Sequence, residues 1–187
     1  RLLPERRGEL HGAVKFMFQP AEEEGAGAAR MITDGLLDEP PVAAAFALHV
    51  DPLQYAGHIA TRVGPTMAAA DRFTVEVRGY GGHAARPHLA VDPVVVAAHI
   101  VTALQTLVSR EVDPAQPAVL TVGSLVAGSA FNVIPDTAIL KGTVRTYSPA
   151  VQDQLQRRLA DVAAGVALAM RAEATCRYER VFPALVN

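Results

Sequence analysis

The stretch "DRFTVEVRG" (residues 71–79) decides the fold, because apolar and polar side chains alternate along it. A period of two is typical of a strand with one face buried and the other face in water. The residues that follow, 92–110, have a strong helical pattern, with Asp92 as N-cap and Pro93 at the first helical position. The pattern therefore predicts a half-exposed strand, a glycine-rich loop and a helix that covers the buried face.

Three more strands and a second long helix are predicted downstream. Residues 118–128, 137–147 and 173–183 are predicted strands, and residues 148–170 are a predicted helix capped by Ser148. The complete order is β-α-β-β-α-β. This order predicts an α+β ferredoxin-like domain, in which two helices cover one face of an antiparallel four-stranded sheet.

The residues before this domain have the pattern of a parallel sheet. Residues 13–18 and 42–50 are short apolar runs, and the segment between them has helical periodicity that ends near Gly35. A buried strand, a helix and a second buried strand predict a βαβ unit of an α/β layer. The glutamates after the first run and His49 in the second would then lie at the same edge of the sheet, where ligands usually bind.

We divide the chain into two predicted parts. Residues 1–66 form a partial α/β layer, and residues 67–187 form the ferredoxin-like domain. One βαβ unit cannot cover both faces of its own sheet, so the first part is expected to belong to a larger domain.

Composition excludes several classes of function. The formal net charge is −2 and no basic stripe is present, which argues against a nucleic-acid platform. No apolar run approaches the roughly 20 residues of a membrane span. Cys176 is the only cysteine, so a disulfide within the chain is impossible, and we expect a reducing, cytoplasmic location.

The three consecutive glutamates Glu22, Glu23 and Glu24 have two interpretations. Acidic residues are favourable in the first turn of a helix, where they need no further partner. Alternatively, one carboxylate ligates a divalent cation while its neighbour accepts a proton from water. His49 favours the metal site, although a single histidine in an apolar strand is more often part of the core.

Polar residues in the second part are also candidates, each with a structural alternative. His83 and His88 lie in the glycine-rich loop "GGHAARPH", which could be a simple turn. Asn132 lies in "FNVIPD", where asparagine often stabilises its own turn. Arg145 lies in an alternating strand and could belong to an exposed face.

Several of these stretches together resemble the metal-dependent amidohydrolases of the M20 peptidase family. They are "FQPAEEEGAGA", "FALHV", "RFTVEVRGYGGHAARPH", "FNVIPD" and "GTVRT", in this order along the chain. The most similar branch is that of N-acyl-amino-acid amidohydrolases, hippurate hydrolases and auxin-conjugate hydrolases. The resemblance implies hydrolysis of N-acyl amino acids by a catalytic α/β domain with two divalent metal ions, Zn²⁺ or Mn²⁺. It also implies an inserted lid domain through which two subunits form a homodimer.

The resemblance implies roles for residues in the first part. Glu22 would be the general base that activates water, and Glu23 and His49 would be metal ligands. Glu24 stands where relatives often have glycine, and we expect it in the first turn of the following helix.

The resemblance implies three further roles in the lid. His83 would reach across the dimer and stabilise the oxyanion in the partner's active site. Asn132 would hold the substrate near its carbonyl or carboxylate group. Arg145 would bind the carboxylate of the amino-acid half through its planar guanidinium.

Two parts of the family pattern are absent from these 187 residues. They are an upstream Cys-Gly-His-Asp-like segment and a downstream histidine ligand, and Cys176 lies outside any such motif. We therefore expect a central fragment with a complete lid and a partial catalytic domain, which binds metal weakly and is inactive alone. The alternative is a non-catalytic dimerisation or binding module derived from such a lid.

Overall fold

The computed structural model describes residues 2–23, 25 and 27–187, which form two compact units, Arg1–Asp51 and Pro52–Asn187. The boundary between the units therefore lies before the predicted division after residue 66. Backbone hydrogen bonds give the reason, because the Gly64 and Asn187 N–H groups each donate to the other's carbonyl at 3.1 Å. Residues near position 64 are thus tied to the C-terminus of the chain. The assignment of the two parts as catalytic layer and lid stays a prediction.

The first unit contains three short helical segments. They are α1 (Leu2–Glu5), a 3-10 turn at Arg7–Glu9 and α2 (Gly27–Thr33). Helix α2 ends as predicted near Gly35, which has a positive φ of 88°. The Gly35 amide donates to Ile32 and the Leu36 amide donates to Met31, which closes the last turn in the Schellman arrangement.

The two predicted strands of the first unit, 13–18 and 42–50, are wrong for the structure described here. Both segments lack strand hydrogen bonding. Their large side chains are exposed, with Phe18 at 86% and Phe46 at 94%. A buried parallel strand is stabilised by neighbouring strands on both sides and by layers on both faces. The described residues of this unit contain no such neighbouring strands or covering layers, so the apolar pattern alone does not produce strand pairing.

The second unit contains eight strands. They are β1 (Pro65–Met67), β2 (Ala69–Arg78), β3 (Gly82–His83), β4 (Ala118–Ala127), β5 (Val133–Ile134), β6 (Thr137–Thr146), β7 (Glu173–Phe182) and β8 (Leu185–Val186). Four of them form an antiparallel sheet in the order β4-β6-β2-β7. Two small antiparallel pairs, β1 with β8 and β3 with β5, lie outside this sheet.

Two helices accompany the four-stranded sheet. They are α3 (Pro93–Thr106), which continues as a π-helical turn over Leu107–Glu111, and α4 (Pro149–Ala169). A short 3-10 turn, Pro87–Leu89, precedes α3. The mixed α/β domain with an antiparallel sheet agrees with the predicted fold class.

The predicted helix caps differ in outcome. The Asp92 carboxylate accepts a hydrogen bond from the Val94 amide at 2.9 Å, which confirms the N-cap of α3. Ser148 precedes α4 as predicted, but its side chain makes no capping hydrogen bond. Its carbonyl instead accepts from the Gln152 amide at 3.0 Å, as the first bond of the helix.

One face of helix α3 is apolar because it packs in the core. By length and composition, Pro93–Glu111 is apolar enough to cross a membrane, a test that core helices of soluble domains also pass. Val96, Ile100 and Leu104 of this helix are at most 1% exposed and pack in one cluster with the sheet and α4. Burial within the domain therefore accounts for the apolar residues on this face of the helix, whereas Val94 and Val95 are exposed.

One carboxylate is buried in this unit and fully hydrogen-bonded. Asp71 is 1% exposed, and the Gln152 amide nitrogen donates to both of its oxygens at 2.9 Å. The Tyr178 hydroxyl donates to Asp71 Oδ2 at 2.6 Å. These bonds join β2, β7 and α4, and they replace the water that the carboxylate loses on burial.

The stability of the chain is predicted to fall in alkaline solution. Burial raises the pKa of the Cys176 thiol from 9.0 to about 11. Burial, together with the hydrogen bond to Asp71, also raises the pKa of Tyr178. Above about pH 9 the unfolded chain releases protons that the folded chain retains, so the free energy of unfolding decreases as the pH rises. Stability from these groups is present in full below that pH.

Urea unfolding at half-unit intervals from pH 7 to pH 11 measures this decrease. Cys176→Ala removes the thiol and should flatten the part of the curve between pH 9 and pH 11. Tyr178→Phe removes the phenol and should flatten the curve above about pH 10. If the free energy of unfolding of both variants falls with pH as steeply as that of the unsubstituted protein, the assignment of the decrease to these two groups is wrong.

Candidate functional site

The glycine-rich loop and the "FNVIPD" loop are joined by a short ladder. Strands β3 and β5 pair with Gly82 opposite Ile134 and His83 opposite Val133. The Ala84 amide extends this ladder by donating to the Asn132 carbonyl at 3.0 Å. The structure thus brings two of the predicted site residues, His83 and Asn132, into one loop pair.

Asp136 fixes this loop pair, and the sequence analysis did not identify it. Its side chain accepts from the Gly81 amide at 2.9 Å, and its carbonyl accepts from the Gly79 amide at 2.8 Å. The available signal was an aspartate directly after a proline, since short acidic side chains often bind backbone amides in turns. Its partner, 55 positions earlier in the chain, was not evident from the sequence.

The hydrogen bonding of His83 defines which ring nitrogen carries the proton. The Ala85 amide donates to His83 Nδ1 at 3.1 Å, so Nδ1 acts as an acceptor. A neutral imidazole with an accepting Nδ1 carries its proton on Nε2. The side chain is exposed, so this Nε2–H group is available to donate to an oxygen of a bound molecule.

The Asn132 side chain forms no hydrogen bond within the described chain, so it does not stabilise its own turn. Both Asn132 and His88 are exposed. His88 lies in the 3-10 turn before α3 and we assign it no role. The His83 Nε2–H and the Asn132 amide are therefore two exposed donors of the loop pair, and Arg86 and His88 of the same loop are exposed as well.

Arg145 lies far from this loop pair, near the other end of β6. It is paired with Ala70 on one side and Val119 on the other, and its side chain is exposed. Its neighbour Val144 is in the core, so Arg145 projects from the face of the sheet opposite the core. Strand β6 begins beside the loop pair at Thr137, and the eight residue-to-residue steps from there to Arg145 span roughly 26 Å.

The predicted metal-site residues all lie in the first unit and are exposed. Glu22 and Glu23 lie in a turn, which the Gly25 amide closes by donating to the Glu22 carbonyl at 3.0 Å. Glu24 lies outside the described residues. His49 Nδ1 lies 2.7 Å from the Val50 carbonyl, which can only accept, so Nδ1 carries the proton. His49 Nε2 is then left with a free lone pair, as metal ligation requires.

These residues do not form a complete metal site by themselves. Among the described residues, no group of three or more histidine, cysteine, aspartate or glutamate side chains is placed to hold a metal ion. A closed divalent site usually has three or four protein ligands. The carboxylate of Glu23 and the imidazole of His49 suit Zn²⁺ or Mn²⁺, but two ligands are fewer than a complete ligand shell needs.

The loop pair is predicted to depend on the absence of a side chain at Gly81. A Cβ atom there would lie 2.8 Å from the Ile134 carbonyl oxygen and 2.9 Å from Asp136 Oδ1. Gly81→Ala should therefore separate the two loops, lower the free energy of unfolding by about 1–3 kcal/mol and expose the Ala84 amide to solvent.

Hydrogen exchange of the Ala84 amide and urea unfolding together test this prediction. The matched control is Gly165→Ala in α4, where a Cβ atom meets nothing within 4 Å. That substitution should stabilise the helix by up to about 1 kcal/mol. Unchanged protection of Ala84 in Gly81→Ala would show that the loop pair tolerates a side chain at this position.

Comparisons with known proteins agree with the predicted family. Residues 69–170 match the family model described as "peptidase dimerisation domain". The chain is 44% identical over 186 residues to the N-acetyl-L-cysteine deacetylase of Bacillus subtilis (strain 168), covering 100% of this chain and 44% of that protein. It is 44% identical over 162 residues to the IAA-amino acid hydrolase ILR1-like 5 of Arabidopsis thaliana, covering 87% of this chain and 37% of that protein.

A solved structure shows the same relationship. The Bacillus subtilis YXEP protein, described as a dinuclear metal binding peptidase from the M20 family, superposes with a TM-score of 0.77 at 34% identity. The match covers 100% of this chain and 46% of that protein, so the chain spans less than half the length of these relatives. The family model covers more than half of the chain. The chain therefore belongs to the M20 peptidase family and contains its dimerisation domain.

Proposed function

We propose that this chain is the central part of a metal-dependent amidohydrolase that cleaves N-acyl amino acids into a carboxylate and an amino acid. The observation that carries the proposal is the loop pair, whose short ladder holds together His83, with its exposed Nε2–H, and the loop residue Asn132. Two such donors are suited to an amide carbonyl oxygen on which negative charge develops. The printed functions of the relatives, deacetylation and hydrolysis of an amino acid conjugate, support the same reaction class.

Glu23 and His49 would hold a divalent cation, Zn²⁺ or Mn²⁺, one of two in the complete enzyme. When bound, the cation supplies a Lewis acid that lowers the pKa of water and polarises the substrate carbonyl. Because this chain offers two ligands, residues outside it must complete the shell. We therefore propose that residues 1–187 alone bind metal weakly and do not turn over.

Glu22 would carry the proton during the reaction. Its carboxylate accepts a proton from the attacking water as the oxygen–carbon bond forms. The amide C–N bond then breaks, and the same proton passes to the leaving nitrogen. Atoms balance with one water consumed, and the products are the free acyl carboxylate and the amino acid.

The distance between Arg145 and the loop pair supports an active site shared between two subunits. An N-acyl amino acid places its carboxylate within a few bonds of the scissile carbonyl. Roughly 26 Å of strand lie between Arg145 and Thr137, where β6 begins beside the loop pair, so Arg145 and His83 of one subunit are too far apart to bind that substrate together. We propose that Arg145 binds the amino-acid carboxylate in one active site, whereas His83 and Asn132 act in the active site of the partner.

The four-stranded sheet offers a surface for this homodimer. Within the described residues β4 pairs with β6 alone, so one edge of β4 has unpaired backbone groups. Its side chains Val119 and Val126 are 52% and 64% exposed. An exposed apolar edge strand is a template for pairing with another chain. We propose a ferredoxin-like lid that dimerises in this way, in a cytoplasmic enzyme.

The test compares the full-length protein that contains this chain with residues 1–187 alone. Both are assayed for amino-acid release from N-acetyl amino acids, with added Mn²⁺ or Zn²⁺ and again after chelation. We expect metal-dependent turnover by the full-length protein and none by the fragment. No turnover by the full-length metal-loaded protein would overturn the amidohydrolase and favour the dimerisation or binding module instead. Turnover by the fragment would overturn its predicted inactivity.

A further inference from the structure

Phe131 is the most exposed aromatic side chain of the second unit, at 100%. It immediately precedes Asn132 in the "FNVIPD" loop. Phenylalanine is among the residues most often buried. Because this exposed ring adjoins a candidate site residue, it is placed to make an apolar contact with a ligand bound there.

The loop holds Phe131 in a defined place. The adjacent Asn132 carbonyl accepts from the Ala84 amide at 3.0 Å, and the β3–β5 ladder begins at the following residue, Val133. Asp136 fixes the other end of the same loop through two backbone amides. These bonds restrict the loop without burying the ring, so a ligand would meet a pre-organised contact.

Phe131 also lines a cavity of about 500 Å³ beside the loop pair. This pocket is open to solvent; its walls include the apolar side chains of Ala84, Val94 and Val133, and polar atoms, among them those of Asp92 and Ser129, make up the larger share of its surface. This volume lies within the range of small-molecule sites. Phe131, Val94 and Val133 offer apolar contacts in it, and the polar atoms can bind the polar part of a small substrate.

We propose that Phe131 determines acyl-group specificity by contacting the acyl chain of the N-acyl amino acid. This inference rests on the proposed function. In that proposal His83 and Asn132 donate to the scissile carbonyl, whereas the amino-acid carboxylate is bound by Arg145 of the other subunit. The group that continues from the carbonyl on the loop side is the acyl chain, and of the two apolar neighbours of Asn132, Phe131 is the more exposed.

The experiment uses the full-length metal-loaded protein and N-acetyl, N-butyryl and N-hexanoyl derivatives of one amino acid. The readout is the ratio of kcat/KM for the hexanoyl substrate to that for the acetyl substrate. We expect Phe131→Ala to lower this ratio about tenfold or more, because the longer chain loses an apolar contact that acetyl barely makes. Phe131→Leu keeps an apolar side chain and should restore part of the ratio.

Leu168→Ala is the control, since this residue is 78% exposed on α4 and lies outside the loop pair. It should leave the ratio unchanged. Light scattering and thermal unfolding of each variant establish that it is folded and dimeric. An unchanged or increased ratio in Phe131→Ala overturns the inference. This includes an equal decrease of kcat/KM for both substrates, which is the result expected if the ring only supports the dimer. A wild-type protein that cleaves none of the three substrates overturns the proposed function itself.

Discussion

Glu22→Gln is expected to lower kcat of the full-length enzyme by about 10²–10⁴-fold while leaving metal content unchanged. The glutamine has the size of glutamate but cannot accept the proton of the attacking water at neutral pH. Glu22 is exposed in a turn before α2, so the substitution should not disturb a packed core. Steady-state turnover of an N-acetyl amino acid, together with elemental analysis of the purified protein, measures both quantities.

Two variants separate the role of Glu22 from that of its neighbours. Glu23→Gln removes a proposed metal ligand, so the activity of this variant should recover in part at high Mn²⁺ or Zn²⁺. The activity of Glu22→Gln should not recover under the same conditions. Glu9→Gln changes another exposed carboxylate of the same unit, whose ion pair with Arg6 is 3.7 Å long. That change should leave kcat within about twofold, because exposed ion pairs contribute little. Recovery of Glu22→Gln at high metal would assign it to the ligand shell instead.

The second unit could be predicted from the sequence because its signals are local. The alternation at Phe73, Val75 and Val77 corresponds to three buried side chains of β2. Asp92 and Pro93 start α3 where expected, and the bounds of the four sheet strands agree within two residues. In each case a residue's own neighbours in sequence carry the information.

The first unit could not be predicted in the same way. Apolar runs at 13–18 and 42–50 are typical of buried strands, but a strand also requires neighbours that pair with it.

The contacts within the loop pair of the second unit could not be predicted from local sequence either. His83 meets Val133 and Gly81 meets Asp136 across about fifty positions of chain, and no local period encodes such contacts. Residue type and motif indicated the candidate site residues, whereas the long-range pairing of the loops is visible only in the fold.

His83→Ala should lower kcat by about 10²–10³-fold, since the Nε2–H is proposed to stabilise the oxyanion in the transition state.

A dimer assembled from two different variant subunits tests whether His83 acts across the subunit interface. A dimer of one Glu22→Gln subunit and one His83→Ala subunit contains one active site with both native residues if His83 acts across the dimer. Such differently tagged mixed dimers should recover about half of the wild-type activity, although each parent dimer is nearly inactive. If His83 acts within its own subunit, both sites of the mixed dimer are defective and no recovery occurs. The roughly 26 Å between the loop pair and Arg145 predicts the first outcome, because one subunit cannot bring both groups to one small substrate.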